Sequence, residues 1–336
     1  MNQDKHNAAI GCLLGALVGD AAGATLEFLR DYPTSEEVTW AMSMPGGGRL
    51  KVAPGQITDD GELTLCLARA LADSETFDME KIARSYAEWV KSHPFDIGLT
   101  TSSSLGAFRG VDMSRESYAA VMKKSASKNC LRSKANGSLM RITPLAIWGH
   151  NFDITEVANH ARQDTALSHP NPSCGYAVAC YCIAIATLIK HPGERKLAFN
   201  NAKTWLDSQK DIAKQNYEST NQKEVSSWLK DAANNIYTPC KPHIGFIKIA
   251  FTHAFRHLLL GSNYENALIE TLSGGGDTDT NACIVGGLIG AAVGVDNIPE
   301  NMRNEVLNCD TTMGKHPRPD FLHPRQIKEL IPKLLN

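Results

Sequence analysis

Apolar positions along the chain recur at helical spacing, and no strand-like alternation extends over several segments. The stretch from Gly61 to Asp73 carries apolar residues at 63, 67, 70 and 71, which share one helix face. Comparable patterns predict helices over 79–91, 153–165, 174–190, 196–215, 222–236, 244–260 and 264–272. Gly and Pro cluster at 44–55, 92–98, 168–173 and 238–245, which predicts loops there. Each loop is short and flanked by apolar-faced helices, so none reads as an interdomain linker. The expectation is one all-α domain over 1–336, with its core in about 6–310, rather than the two domains that 336 residues suggest by length alone.

Glycine adds a second pattern. Gly11, Gly15, Gly19 and Gly23 recur every four residues, as do Gly286, Gly290 and Gly294 near the other end. Such spacing forms one stripe on a helix, where the missing Cβ lets another backbone approach. Each glycine costs about 1 kcal/mol of helix propensity relative to alanine. A packing role is therefore expected, with two central helices packed tightly in the core, one from each end of the chain.

Composition narrows the class. Hydrophobic residues make up 43% and charged residues 21%, an ordinary globular balance. With 34 Lys and Arg against 36 Asp and Glu, no basic excess exists to follow a nucleic-acid backbone. The nine cysteines show no metal-ligand spacing, which fits buried, reduced thiols and a cytoplasmic protein. Residues 8–24 resemble a signal sequence, but Asp4 and Asp20 argue against export. The apolar run Ala177–Ile189 reads as a buried helix, because it is shorter than the ~20 residues a membrane span needs. The basic run Lys123–Lys134 reads as a solvated loop, with an acidic partner or a substrate pyrophosphate as the alternative.

The acidic residues beside the glycine helices carry the chemistry. Thr58, Asp59 and Asp60 precede the 61–73 segment, and Asp277, Thr278, Asp279 and Thr280 lead into the second glycine helix. Both sets are ordinary helix N-caps in type. Capping needs one such group, however, and both clusters hold surplus acid. Adjacent carboxylates require neutralisation, and an all-oxygen set without His or Cys suits hard divalent ions such as Mg²⁺ or Mn²⁺. Two such clusters favour one shared site.

Taken together, these segments resemble the ADP-ribosylglycohydrolase family, and within it the ADP-ribosyl-dinitrogen reductase hydrolases. The matching pieces are GALVGDAAGATLEF (15–28), PGGGRLKVAPGQITDDGELTL (45–65), PFDIGLTT (94–101), NGSLMRITPLA (136–146), SHPNP (168–172) and GGGDTDTNACIVGGLIGAAVGVDNIP (274–299). The resemblance implies an all-α fold with two divalent cations, Mg²⁺ or Mn²⁺, at the base of an ADP-ribose cleft. It makes Thr58, Asp59, Asp60, Asp277, Asp279 and Thr280 the metal ligands. Glu27 and Asp96, with Asp60, would be the catalytic acids. Asn136, Gly137, Ser138 and Met140 would approach the pyrophosphate, His169 the nucleotide, and Gly98 and Gly275 would complete the substrate contacts. Alone, Glu27 would read as solvated and His169 as a surface or loop-anchoring residue. The small NGS segment can turn its amides to an anion, although the same letters form ordinary turns.

Two positions depart from the family pattern. Gly61 stands where Thr commonly follows TDD, which removes a hydroxyl beside the metals, and Leu99 stands where Asn often follows DIG. The expected reaction is hydrolysis of the N-glycosidic bond between ADP-ribose and a protein arginine. Expected partners are ADP-ribose, an ADP-ribosylated protein and an ADP-ribosyltransferase or toxin, with no membrane and no nucleic acid. The alternatives are hydrolysis of serine-, O-acetyl- or nucleic-acid-linked ADP-ribose, kept open by Leu99, and an immunity protein that blocks a toxin through the polar stretch 196–242.

Overall fold

Gln3–Ala24 forms one helix of 22 residues, and Thr278–Val293 forms a second of 16. They run antiparallel, and the glycines of one lie on the backbone of the other. A Cβ on Gly15 would stand 2.5 Å from the Gly286 carbonyl oxygen, one on Gly19 2.1 Å from that of Ala282, and one on Gly290 2.0 Å from that of Gly11. No real side chain tolerates such approaches, so the two stripes form the contact. Gly294 has a different part: with φ at +79° it ends the second helix at Val293 instead of continuing the stripe. Two buried tyrosines brace the pair, Tyr264 donating to the Gly15 carbonyl at 2.6 Å and Tyr181 to that of Ile284 at 2.7 Å.

This computed structural model describes residues 3–72, 74–215 and 218–336. Its described regular elements are helices, packed as one all-helical domain. The predicted helices appear as Asp59–Ala72, Met79–Lys91, Ile154–Thr165, Pro172–Lys190, Ser219–Ala233, Ile247–Leu260 and Tyr264–Ser273. Asp73, the predicted end of the first of these, lies outside the described residues, as do positions 216 and 217 of the polar stretch. The single helix expected over 196–215 is two, Arg195–Ser208 and Lys210–Gln215, because the chain turns at Gln209. The basic run is not simply a loop. Lys123, Lys124 and Lys128 ride exposed on the helix Tyr118–Asn129, and Lys134 pairs with Glu224 at 2.7 Å.

Gln3–Ala24 and Pro172–Lys190 are each long and apolar enough to cross a membrane. Both are core helices here, the second buried at every residue from Ser173 to Ile189. The nine cysteines are free and buried. The core continues past position 310, taking in Leu322, Ile327, Leu330, Ile331 and Leu334.

Candidate metal centre and cleft

The antiparallel glycine contact sets the end of the first helix against the start of the second. Asp20 and Glu27 therefore meet Asp277, Asp279 and Thr280, although the two segments lie near opposite ends of the chain. The start of Asp59–Ala72 enters from the side and brings Thr58, Asp59 and Asp60. Both incoming helices point their N-termini at the acids, where the partial positive charge of unpaired amides favours carboxylates.

Carboxylate oxygens of Asp20, Asp60 and Asp279 lie within 4.8 Å of one another, and so do those of Glu27, Asp277 and Asp279. Asp279 belongs to both groups. Asp20 is fully buried and accepts from the Thr58 amide at 2.9 Å, the Thr58 hydroxyl at 2.8 Å and the Gly61 amide at 2.8 Å. The Thr58 and Thr280 hydroxyls reach Asp60 Oδ2 at 3.2 and 3.4 Å, and Asp60 Oδ1 is buried without a partner. Glu27 is buried rather than solvated, with Oε2 taking the Thr278 amide at 2.7 Å and its hydroxyl at 3.1 Å. Asp277 stands at the N-cap of its helix without capping it, and instead accepts from Asn136 Nδ2 at 2.8 Å.

So many carboxyls crowded into a buried site cannot all ionise unaided. Burial pushes Asp20 up to about 7 and Glu27 up to about 8, the latter with help from Asp277. Asp59, Asp60 and Asp279 are raised well above the carboxylate range, by burial first and then by one another and the neighbouring acids. Two all-oxygen groups sharing one aspartate, one of them holding an orphaned buried carboxylate oxygen on Asp60, fit hard metal cations.

Above the acids opens a cleft of about 340 Å³. Its walls include Glu27, Asp59, Asp96, Gly98, Asn136, Gly137, Met140, His169, Asp277, Asp279 and Thr280. Thr58 and Asp60 lie beneath it, and Asp96 is raised by burial first, with Asp277 adding to it. His169 is buried, with Nδ1 at 2.8 Å from the Ser168 hydroxyl and Nε2 unpartnered. Burial, then the nearby Arg141 charge, lowers it to about 3, so the ring is neutral. A Cβ on Gly137 would stand 2.9 Å from His169 Cε1, which explains glycine at that point of the turn. The turn itself is anchored from behind by Arg141, which donates to the Gly137 carbonyl at 2.9 Å and pairs with Asp164 at 3.1 Å.

Two expected contacts fall elsewhere. Gly275 packs toward Pro33, with its Cβ direction 3.1 Å from Pro33 Cδ, and Ser138 is wholly buried with its hydroxyl unpartnered; neither lines the cleft. Asp20 had no assigned role at the site, and its signal was a lone acid within the apolar run 8–24 of the first helix. Phe28 and Ile244 also line the mouth, at 53% and 57% exposure, beside Leu99 at 90%.

The ADP-ribosylglycohydrolase family model matches residues 1–331. The chain belongs to the ADP-ribosylglycohydrolase family. The ADP-ribosyl-dinitrogen reductase glycohydrolase of Rhodospirillum rubrum is 30% identical over 300 residues, which are 88% of each chain. The ADP-ribosylarginine hydrolase Tri1 of Pseudomonas putida is 34% identical over 147 residues, 42% of this chain and 36% of that one. A solved structure described as an ADP-ribosylglycohydrolase-related protein complex superposes with a TM-score of 0.73 at 19% identity, over 99% of this chain and 98% of that chain, and shares the fold. As an ADP-ribosylglycohydrolase family member, the protein is a hydrolase.

Proposed function

We propose that this ADP-ribosylglycohydrolase releases ADP-ribose from modified arginine on a protein by hydrolysing the N-glycosidic bond. The observation that carries the reading is the pair of acid groups sharing Asp279 at the base of a cleft walled by Glu27, Asp96, Asn136, Gly137 and His169. Thr58, Asp59, Asp60, Asp277, Asp279 and Thr280 would hold two divalent cations, Mg²⁺ or Mn²⁺, and Asp20 joins them as a further carboxylate. When bound, those cations neutralise the acids and polarise substrate oxygens.

The remaining work falls to the chain. Cleavage develops positive charge at the anomeric carbon, which nearby carboxylates stabilise. Glu27 and Asp96 share the proton transfers, one accepting from the attacking water and one donating to the departing guanidine. Neutral His169 offers Nε2 to the nucleotide without placing a charge in the cleft. Asn136, held by Asp277, and Gly137, held by Arg141, present a turn narrow enough for phosphate oxygens to reach its amides.

Leu99 supports a second reading. Its exposed side chain occupies the mouth beside Asp96, where a polar residue would otherwise meet the leaving group, and an apolar mouth suits a serine linkage as well as an arginine one. Parallel assays on arginine- and serine-linked ADP-ribosyl proteins with Mg²⁺ or Mn²⁺ separate the two. Faster release from arginine supports the first; release from serine alone replaces it with the second.

A further inference from the structure

Asp96 sits on a short loop between two helices, Met79–Lys91 and Leu99–Leu105, where no regular element fixes it. The fixing comes from a segment near the other end of the chain. Arg318 is buried at 6% exposure and uses all five of its N–H donors. Two go to the Glu62 carboxylate at 2.6 and 2.9 Å, a forked pair on the helix that opens with Asp59 and Asp60. The others go to the Ser92 carbonyl at 2.9 Å, the His93 carbonyl at 3.2 Å and the Ser92 hydroxyl at 2.8 Å. His93 holds a φ of +55°, a backbone conformation that a non-glycine residue keeps only when its surroundings enforce it.

The same segment grips the loop a second time. Phe95, next to Asp96, stacks on His316 with ring centroids 4.4 Å apart and planes 15° from parallel. His316 is itself tied to the loop leading into Thr58, through Nε2 to the Leu50 carbonyl at 2.7 Å and through its own carbonyl to Gln56 Nε2 at 2.8 Å.

We infer that Arg318, seconded by His316, is a positioning residue that fixes the Asp96 loop relative to the Asp59–Asp60 helix start. Neither touches the cleft; both act through Asp96. The inference rests on the reading of Asp96 as a group that works on substrate.

The test uses the full chain and Arg318→Lys, whose ammonium keeps the charge but cannot reach five acceptors. His316→Ala is the second variant, because it removes the Phe95 partner and leaves the buried ion pair whole. Backbone hydrogen exchange at 93–98 accelerates in both variants while the Thr278–Val293 helix stays protected. On whichever ADP-ribosyl linkage the native protein cleaves, kcat falls by about ten- to a hundredfold in Arg318→Lys, with KM within about twofold. In an Asp96→Asn background the same change has no further effect, since both act through one group. Unchanged exchange at 93–98 in the folded variants, or losses that simply add to that of Asp96→Asn, would overturn the inference. Absence of arginine-linked cleavage by the native protein would instead defeat the arginine reading, and the exchange measurement would still decide on Arg318.

Discussion

Gly61 donates its amide to Asp20 Oδ2 at 2.8 Å, and a Cβ on Gly61 would stand 2.6 Å from that same oxygen. It would also crowd Ile57 and Leu17, each at 2.9 Å. The glycine is thus less a missing hydroxyl than the space that lets Asp20 sit against the helix start. Gly61→Thr, which writes the commoner family residue into this chain, is expected to weaken Mn²⁺ binding and to cost about 1–3 kcal/mol of stability through overpacking. Calorimetric titration with Mn²⁺ and denaturant unfolding measure the two effects; equal or tighter binding would show that Asp20 does not depend on this contact.

The glycine axis makes a graded prediction. A Cβ at Gly19 meets the Ala282 carbonyl oxygen at 2.1 Å, and one at Gly11 meets that of Gly290 at 2.4 Å. Gly11→Ala and Gly19→Ala should both lower the melting temperature, each by the equivalent of at least about 1–3 kcal/mol. Only Gly19→Ala should also weaken cation binding, because Gly19 adjoins Asp20 and its contact lies one turn from Asp279. Equal effects on binding would mean that the axis acts on the site only through global stability.

Cation removal should have a pH dependence of definite sign. Carboxyls held above their unfolded values bind protons in the folded state that the unfolded chain has released, so stability falls as pH rises. Asp20 and Glu27, raised to about 7 and about 8, place that loss between the ordinary carboxylate range near 4 and about pH 8. Protein treated with a chelator should therefore melt at lower temperature at pH 8 than at pH 6, and Mn²⁺ should restore more at pH 8. Binding should release protons, visible as a dependence of the titration heat on buffer. A chelated protein that gains stability from pH 6 to 8 contradicts the clustered-acid account.

His169 has the opposite sign. Its folded value of about 3 lies below the unfolded 6.5, so the unfolded chain binds the extra proton and stability falls as pH drops from about 6.5 toward 3. Between pH 7 and pH 5 the native protein should lose about 2 kcal/mol more than His169→Gln does. Unfolding curves at both pH values give the difference; identical losses would place a charged or solvent-reached ring at 169.

Where local pattern decides structure, the sequence was enough to read it. Met79–Lys91 has its predicted bounds, and the glycine spacing foretold two tightly packed core helices, which the structure sets against each other so that the acids meet. The turn at Gln209 was hidden because apolar periodicity runs across it. Asp20 was hidden because its partners, Thr58 and Gly61, are defined only by tertiary packing. Gly275 shares a motif with Asp277 and Asp279 but faces Pro33, since proximity in sequence does not fix direction in a loop. Arg318 lay beyond the expected core, and its acceptors at Ser92 and His93 are backbone carbonyls, which carry no residue signature.

The most direct test of the central claim is release of free ADP-ribose from an arginine-modified protein by the Mn²⁺-loaded native chain and by folded Asp60→Asn. Asp60 lies in one acid group with Asp20 and Asp279, and its Oδ1 has no protein partner. The account predicts release by the native chain, with Asp60→Asn at background and binding cations weakly. Release by Asp60→Asn at the native rate, or none from the folded and cation-loaded native chain, would contradict it.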